Sequence, residues 1–320
     1  MIANLPTSEG FDRVARRLHF QAWSSLLAML VEFQRQYDEF SIARPPQQGD
    51  EWHDEWNDYL GACQPDLHST VALVQQSNEL SLKARLTAVS PYLLLVGTMP
   101  KLSSANSDLD FSELRTLDSV DLPGAVNTFT SRPLSPKFVQ SYNDLRVIRN
   151  KVVHAGAVED KFTPQSLMAL MVETYLELWP EGTWLADWLQ VETESRYSVF
   201  HDFRNASPYS DVLAQWPYAV EMLGKGQFQR LFGHAKSRRR YHCPSCTELA
   251  STRWSDAWEL GKGTAFLNDA KSSVHCAMCS ANWSIGLAKC SACGHHAVCN
   301  AEGDHLDRCL YCGNQENVGA

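Results

Sequence analysis

Positive charge is what this 320-residue sequence has least of: 28 Lys and Arg against 37 Asp and Glu leave a formal net charge of -9. Backbone phosphates are held by Lys and Arg that displace counterions, so a surface built throughout to cling to nucleic acid is excluded, although local basic patches are not. Long apolar runs are also missing. The longest, such as Leu26 to Val31 and Tyr92 to Gly97, fall far short of the ~20 residues that span a bilayer. The segment Met1 to Gly10 has no basic stretch followed by an apolar one, which predicts no secretory signal. A cytoplasmic protein with no membrane partner is expected. Cysteine is nearly absent from the first 242 residues, where Cys63 stands alone; the other nine of ten lie from Cys243 onward. Eight of those nine form Cys-x-x-Cys pairs, which is a metal pattern in a reducing compartment and not a disulfide framework. With 44% hydrophobic residues the chain is globular, long enough for one large domain plus a smaller one or for two medium ones.

What is there reads first as helix. From Phe11 to Phe40 apolar residues recur at helical spacing (Phe11, Val14, Leu18, Trp23, Leu27, Leu30, Val31) with no Gly or Pro inside. A second helical stretch follows the breaker Ala43-Arg44-Pro45-Pro46, and a third is predicted from Ser69 to Val89. Thr98 to Pro133, rich in Ser, Asp, Thr and Pro, predicts an extended loop with short helices at most. Ser135-Pro136 and Thr163-Pro164 each put a polar N-cap before Pro at the first helical position. Leu134 and Val139 are placed to staple the first of these helices, which runs to about His154 and stops at Ala155-Gly156. Its partner, Pro164 to Trp179, is apolar nearly all round and is expected to be buried as the second arm of an antiparallel hairpin. Further helices are predicted over Trp184 to Phe200 and Ser210 to Met222, before Gly224-Lys225-Gly226 and the basic Lys236 to Arg240.

On the helix from Pro136 the core stripe is Phe138, Tyr142, Leu145 and Val152, and at about 100° per residue Arg149 falls in its middle. A guanidinium there needs a cleft, a subunit interface or a buried acid. His154 follows in the last turn, where the helix dipole favours imidazolium. The stretch Leu145-Arg-Val-Ile-Arg149-Asn150-Lys-Val-Val-His154-Ala-Gly156 resembles the HEPN superfamily, whose signature is Arg, usually a polar residue, then His after four to six positions. The resemblance covers at best Phe11 to Gln190. It implies a helical bundle and metal-independent RNA cleavage by a homodimer, with Arg and His of both chains lining one cleft. The residue types suit the chemistry, since attack of a ribose 2′-OH on phosphate requires proton transfer and stabilisation of an anion. Arg149 and His154 lie about 140° apart on their helix, a separation that a dimer resolves. Asn150 is assigned to orient phosphate or imidazole, and Arg146 and Lys151 to grip flanking phosphates. The bland alternative makes Arg149 half of a buried ion pair and His154 a helix-terminal cap.

The cysteine pairs are Cys243/Cys246, Cys276/Cys279, Cys290/Cys293 and Cys309/Cys312. Two Cys-x-x-Cys turns complete one tetrahedral site, so two structural zinc ions are expected, with none for catalysis because four thiolates leave no open position. Sequential pairing is the simplest; a cross-braced pairing, first with third and second with fourth, remains open on spacing. His275, His295, His296, His305 and Cys299 are spare. From Cys243 onward eight acids stand against five bases, a poor match for phosphate backbones. Trp254, Trp258, Phe266 and Trp283 either stack bases or pack a small core, with core favoured.

The expected architecture is therefore mainly α: a HEPN-like helical domain over 1–200, a helical and basic linker over 201–242, and a double zinc-ribbon module with short β-hairpins over 243–320. The expected function is a homodimeric endoribonuclease, with toxin or antiviral roles implied by the resemblance and a protein partner or trigger engaged through the ribbons. The alternative is a non-catalytic scaffold whose ribbons bind protein or RNA. A third reading, a regulator reading DNA through the ribbons, is opposed by the acidity of the module; loss of salt-sensitive DNA binding on neutralising Arg238, Arg239 and Arg240 would revive it.

Overall fold

A computed structural model describes residues 2–37, 41–44, 46–97, 109–155, 161–254, 256–258, 263–294, 296–300 and 307–315, with only the backbone described at 153–155 and 296–300. The chain is mainly helical, with a small C-terminal strand region, and divides into two compact units, Met1–Pro180 and Glu181–Ala320.

The first unit is built on two long helices, α1 (Ser8–Gln36) and α2 (His53–Val89). The hydroxyl of Thr7 accepts from Gly10 N at 3.0 Å and caps α1. The Tyr59 hydroxyl donates to Met29 O at 3.0 Å, Ser77 Oγ to Ala15 O at 2.7 Å and Ser8 Oγ to Ala84 O at 3.0 Å, a register that runs the two helices antiparallel. The two stretches predicted after Pro46 are one helix. Pro65 lies inside it, and its missing N–H does not break a rod held along its length by α1. Short strands β1 (Ile2–Ala3) and β2 (Leu109–Asp110) pair in parallel, and α3 (Leu122–Phe129) is the short helix in the Ser- and Asp-rich stretch.

Next come α4 (Pro136–Ala155) and α5 (Pro164–Leu178). Both predicted caps are made: Phe138 N donates to Ser135 Oγ at 3.2 Å, and Thr163 and Ser166 form a reciprocal capping box. Ser135 N donates to Glu177 Oε1 at 2.9 Å and Lys137 pairs with Glu173 at 3.5 Å, so the start of α4 lies beside the end of α5. Arg85 Nη2 donates to the carbonyls of Glu177 and Leu178 and ties the C-terminus of α5 to α2. Trp23 and Leu27 of α1, Val71 and Leu82 of α2, Tyr142 of α4 and Met171 and Tyr175 of α5 are buried between these helices.

The second unit begins well before residue 243. It contains α6 (Trp184–Thr193), a 3-10 turn at Arg196–Phe200, α7 (Pro208–Met222), α8 (Lys225–Phe232) and α9 (Pro244–Ala250). Its sheet orders β3 (Arg240–Tyr241), β4 (Ala265–Leu267), β5 (Ser273–Cys276), β6 (Asn282–Lys289) and β7 (His296–Asn300) as an antiparallel meander. The boundaries expected at 200 and 242 do not coincide with the division at 180. Trp184, Trp188, Trp216 and Phe228 are fully buried, and Phe228 and Phe232 lie 6.2 and 6.4 Å, ring to ring, from Phe266 of β4. A segment that buries such aromatics in the core of the sheet is not a linker. The predicted helix over Trp184 to Phe200 ends at Thr193, and α8 adds a helix after Gly224 that was not individually predicted. At Gly263, whose carbonyl accepts from Trp216 Nε1 at 3.2 Å, any Cβ would overlap the Tyr241 backbone.

Candidate active site and metal centres

The two sets of predicted functional residues lie in different units and are built by different means. In the first unit, α2 and α4 meet along a seam where Gln75 and Glu79 face Tyr142 and Arg149. Gln75 and Asn78 of α2 are fully buried, as is Tyr142 of α4, whose hydroxyl donates to Ser119 O at 2.9 Å. Burial, then the nearby Glu79 carboxylate, pushes the Tyr142 phenol well above its ordinary value. Glu79 accepts from Lys83 Nζ at 2.8 Å, one helical turn away, and pairs with Arg149 Nη2 across the seam at 3.5 Å.

Arg149 therefore sits on the inward side of α4, as its angle predicts, with 28% of its side chain exposed. Its acid is Glu79, 70 positions earlier, and no local signal in the sequence pairs the two. The contact is long, and Glu79 has a closer partner in Lys83. Among the described residues a fork of five N–H donors thus has one 3.5 Å ion-pair contact. Arg146 lies on the same helix with its Nε buried and unpartnered among the described residues. Asn150 is half-buried and Lys151 exposed. His154 falls within the backbone of α4, but its side chain lies outside the described residues, as does Gly156.

The two cysteine groups that could hold metal are each complete in their four ligands. Cys243, Cys246, Cys276 and Cys279 form one group and Cys290, Cys293, Cys309 and Cys312 another, with all four sulfurs of each within 4.8 Å of one another. The pairing is sequential, which spacing alone left open. Sulfur–sulfur separations are 3.6 Å for Cys243–Cys279, 3.8 Å for Cys246–Cys276, 3.7 Å for Cys290–Cys312 and 3.9 Å for Cys293–Cys309. A tetrahedral ion with metal–sulfur bonds of about 2.3 Å sets its sulfurs about 3.8 Å apart, so both groups fit a zinc-sized ion.

Local structure explains why these turns converge. Cys243 is the N-cap of α9 and Cys246 lies in its first turn, while Cys276 ends β5 and Cys279 closes the turn that follows. Met278 N and Thr264 Oγ1 lie 3.3 Å from Cys276 Sγ, and Cys293 N donates to Cys290 Sγ at 3.5 Å, contacts that favour thiolate. Three of the four Cys-x-x-Cys turns are followed by a left-handed residue: Ser280 at φ 60°, Gly294 at φ 67° and Gly313 at φ 76°. Cys-x-x-Cys-Gly, legible twice in the sequence, is the signal for such a turn. In the first group the hydrogen bond to Cys243, then those to Cys246 and Cys276, hold the Cys279 thiol below its ordinary value, while bonds to Cys243, Cys276 and Cys279 hold Cys246 above it. Four sulfurs this close cannot ionise independently, and a dication relieves the conflict.

Of the spare candidates, His275 is exposed and lies 3.2 Å from Asn282 Oδ1; His295, His305 and the side chains of His296 and Cys299 lie outside the described residues. The basic run is structurally engaged. Lys236 Nζ caps the end of α7 through the carbonyls of Glu221 and Leu223 at 3.0 and 2.6 Å, Arg238 reaches Leu267 O and Asp269, and Arg240 stacks over Phe228. Among the described residues no helix is long and apolar enough to cross a membrane.

Compared with known proteins, the chain matches no family model, no curated protein and no solved structure.

Proposed function

We propose that this protein is a metal-independent endoribonuclease of HEPN type, acting as a homodimer, with two structural zinc ions in its second unit. The observation that carries the reading is Arg149: a guanidinium turned into the α2–α4 seam, still 28% exposed and, among the described residues, engaged by one long ion pair. An arginine held at one corner by Glu79 keeps the remaining donors for a phosphate. Arg149 stabilises the charge that develops on the scissile phosphate and His154 transfers the proton, while Asn150 orients them and Arg146 and Lys151 hold flanking phosphates. The partner subunit brings a second such helix and closes the cleft. Toxin or antiviral activity is the biological setting that this chemistry suits.

The scaffold reading keeps one observation in its favour, the Arg149–Glu79 pair itself. Incubation of total RNA with the parent, Arg149→Ala and His154→Ala proteins under brief EDTA exposure separates the two. Fragments ending in 2′,3′-cyclic phosphate from the parent, reduced at least a hundredfold in either variant, support the nuclease. Equal cleavage by all three proteins, or none by the parent dimer on single-stranded and transfer RNA, overturns it.

A further inference from the structure

Two segments of the second unit put large side chains into solvent side by side. Trp254, for which core packing was favoured, is 75% exposed; Phe200 and Phe203 are 69% and 51% exposed, and Tyr197 of the same 3-10 turn is exposed as well. Scattered apolar residues on a surface need no explanation, but these are gathered. Arg253 N donates to Arg204 O at 2.6 Å and Ser207 Oγ to Leu249 O at 2.6 Å, which fastens the chain around Phe203 to the end of α9 and the residues after it. Phe203 and Trp254 each adjoin one partner of the first bond, so their Cα atoms are at most about 14 Å apart. We propose that these rings and the arginines beside them bind single-stranded RNA. The inference is independent of the ribonuclease reading, because it concerns a different surface in the other unit.

The fold does not account for the ring at position 203. Phe203 has φ 54°, a left-handed backbone that glycine takes freely and bulky side chains rarely adopt. The turn is made by its neighbours: Asp202 Oδ1 accepts from Arg204 N at 2.9 Å and from Asn205 N at 2.7 Å, and Phe203 N donates to Ala206 O at 3.0 Å. None of these bonds uses the phenyl ring, and glycine would make them with less strain. An aromatic ring carried in solvent on such a backbone points to a contact outside the fold.

Charge selects the occupant. Residues 195–207 and 250–254 hold Arg196, Arg204 and Arg253 against one acid, Asp202, in a chain whose net charge is -9. The Asp202 carboxylate is engaged by the turn. Arg196 and Arg253 lie over Tyr197 and Trp254, their guanidinium carbons 4.8 and 5.1 Å from the ring centroids, which stiffens the two rings and makes them more attractive to a stacked base. Arg204 is exposed and, among the described residues, stacks on no ring and pairs with no acid. The roles divide accordingly: exposed rings take bases and Arg204 takes a phosphate. An apolar protein surface would cover the rings but strip water from three guanidinium groups without replacing it, whereas a chain of bases and phosphates meets both needs.

The test is fluorescence polarisation of the full-length, metal-loaded protein with a labelled 2′-O-methyl oligo-U of about twelve nucleotides, which attack by a 2′-OH cannot cleave, in the parent and Arg149→Ala backgrounds. Phe203→Gly, which suits the left-handed backbone, and Trp254→Ala are each expected to weaken binding about tenfold in both backgrounds. Arg204→Gln is expected to reduce the slope of log affinity against log salt by about 0.7, the signature of one lost phosphate contact to a single strand. Tyr92→Ala, at an exposed aromatic of the first unit, should leave the affinity unchanged. A parent that cleaves nothing yet binds through Phe203 and Trp254 supports this site while overturning the nuclease. No binding by the parent, abolition of binding by Arg149→Ala alone, or unchanged affinity in both Phe203→Gly and Trp254→Ala overturns the proposal; a change in oligomeric mass with that unchanged affinity would make the patch a protein interface instead.

Discussion

The two units solve the same problem, holding a polar site in a fixed place, in opposite ways. In the first, long helices bury enough apolar surface to tolerate Gln75 and Tyr142 in a seam and a buried Asn78 besides, and Arg149 is positioned by packing. In the second, short strands and turns bring eight cysteines into two groups, each spaced to take a metal ion that would tie those turns together. One unit carries its polar residues at a cost to its core; the other has an aromatic core around Trp184, Trp216 and Phe228, and beyond it a strand region too small to pack without its cysteine groups. The lesson is about what each can lose.

The sharpest way to break the comparison is to remove the metal. Chelation, or Cys246→Ser together with Cys309→Ser, is expected to abolish cooperative folding around α9 and β3 to β7, since structural zinc sites supply roughly 10–16 kcal/mol of apparent binding free energy. Peptide-resolved hydrogen exchange should show this region exchanging fast while α1, α2, α4 and α5 stay protected. A smaller effect belongs to the first unit alone. Trp23→Ala, at a fully buried site in α1, is expected to cost about 3–5 kcal/mol, read as a lower denaturation midpoint for that unit with metal content unchanged.

A further difference is in pH response. His19 is fully buried among Phe20, Tyr175 and Trp179, and burial, helped by Arg16, lowers its pKa to about 3. The unfolded chain takes up a proton at His19 below about pH 6.5 while the folded chain does not, so stability falls as the pH drops through 6.5 and this loss levels off only near 3. At pH 5 the loss is about 2 kcal/mol. His19→Phe should flatten that limb of the stability curve; an unchanged slope would show that His19 is not its source. Smallest are the caps: Ser135→Ala and Thr163→Ala are each expected to cost ~1 kcal/mol in denaturant titration, with the metal sites untouched.

What could be read from the sequence divides along similar lines. The cysteine ligands were legible because a Cys-x-x-Cys turn is a local signal, and the caps at Ser135 and Thr163 because capping is decided within four residues. The inward position of Arg149 followed from helical periodicity. Its partner Glu79 did not, because it comes from another helix. The stretches after Pro46 and from Ser69 read as two helices, yet tertiary packing carries α2 through Pro65 as one. The start of the second unit was misplaced because the basic run around Arg238 looks like a solvated linker, whereas its side chains cap α7 and stack on Phe228. Sequential or cross-braced pairing of the cysteines depends on which turns meet in space, and spacing carries no information about that.

The central claim is that two ions, each held by neighbouring Cys-x-x-Cys pairs, organise the second unit. Metal analysis of the purified chain and of a Cys246→Ser/Cys276→Ser double variant tests it most directly. Two zinc ions per chain in the parent and one in the double variant is the predicted result, because both substitutions fall in one site. No bound metal in the parent would contradict the claim, and so would loss of both ions in the variant, the mark of cross-braced pairing.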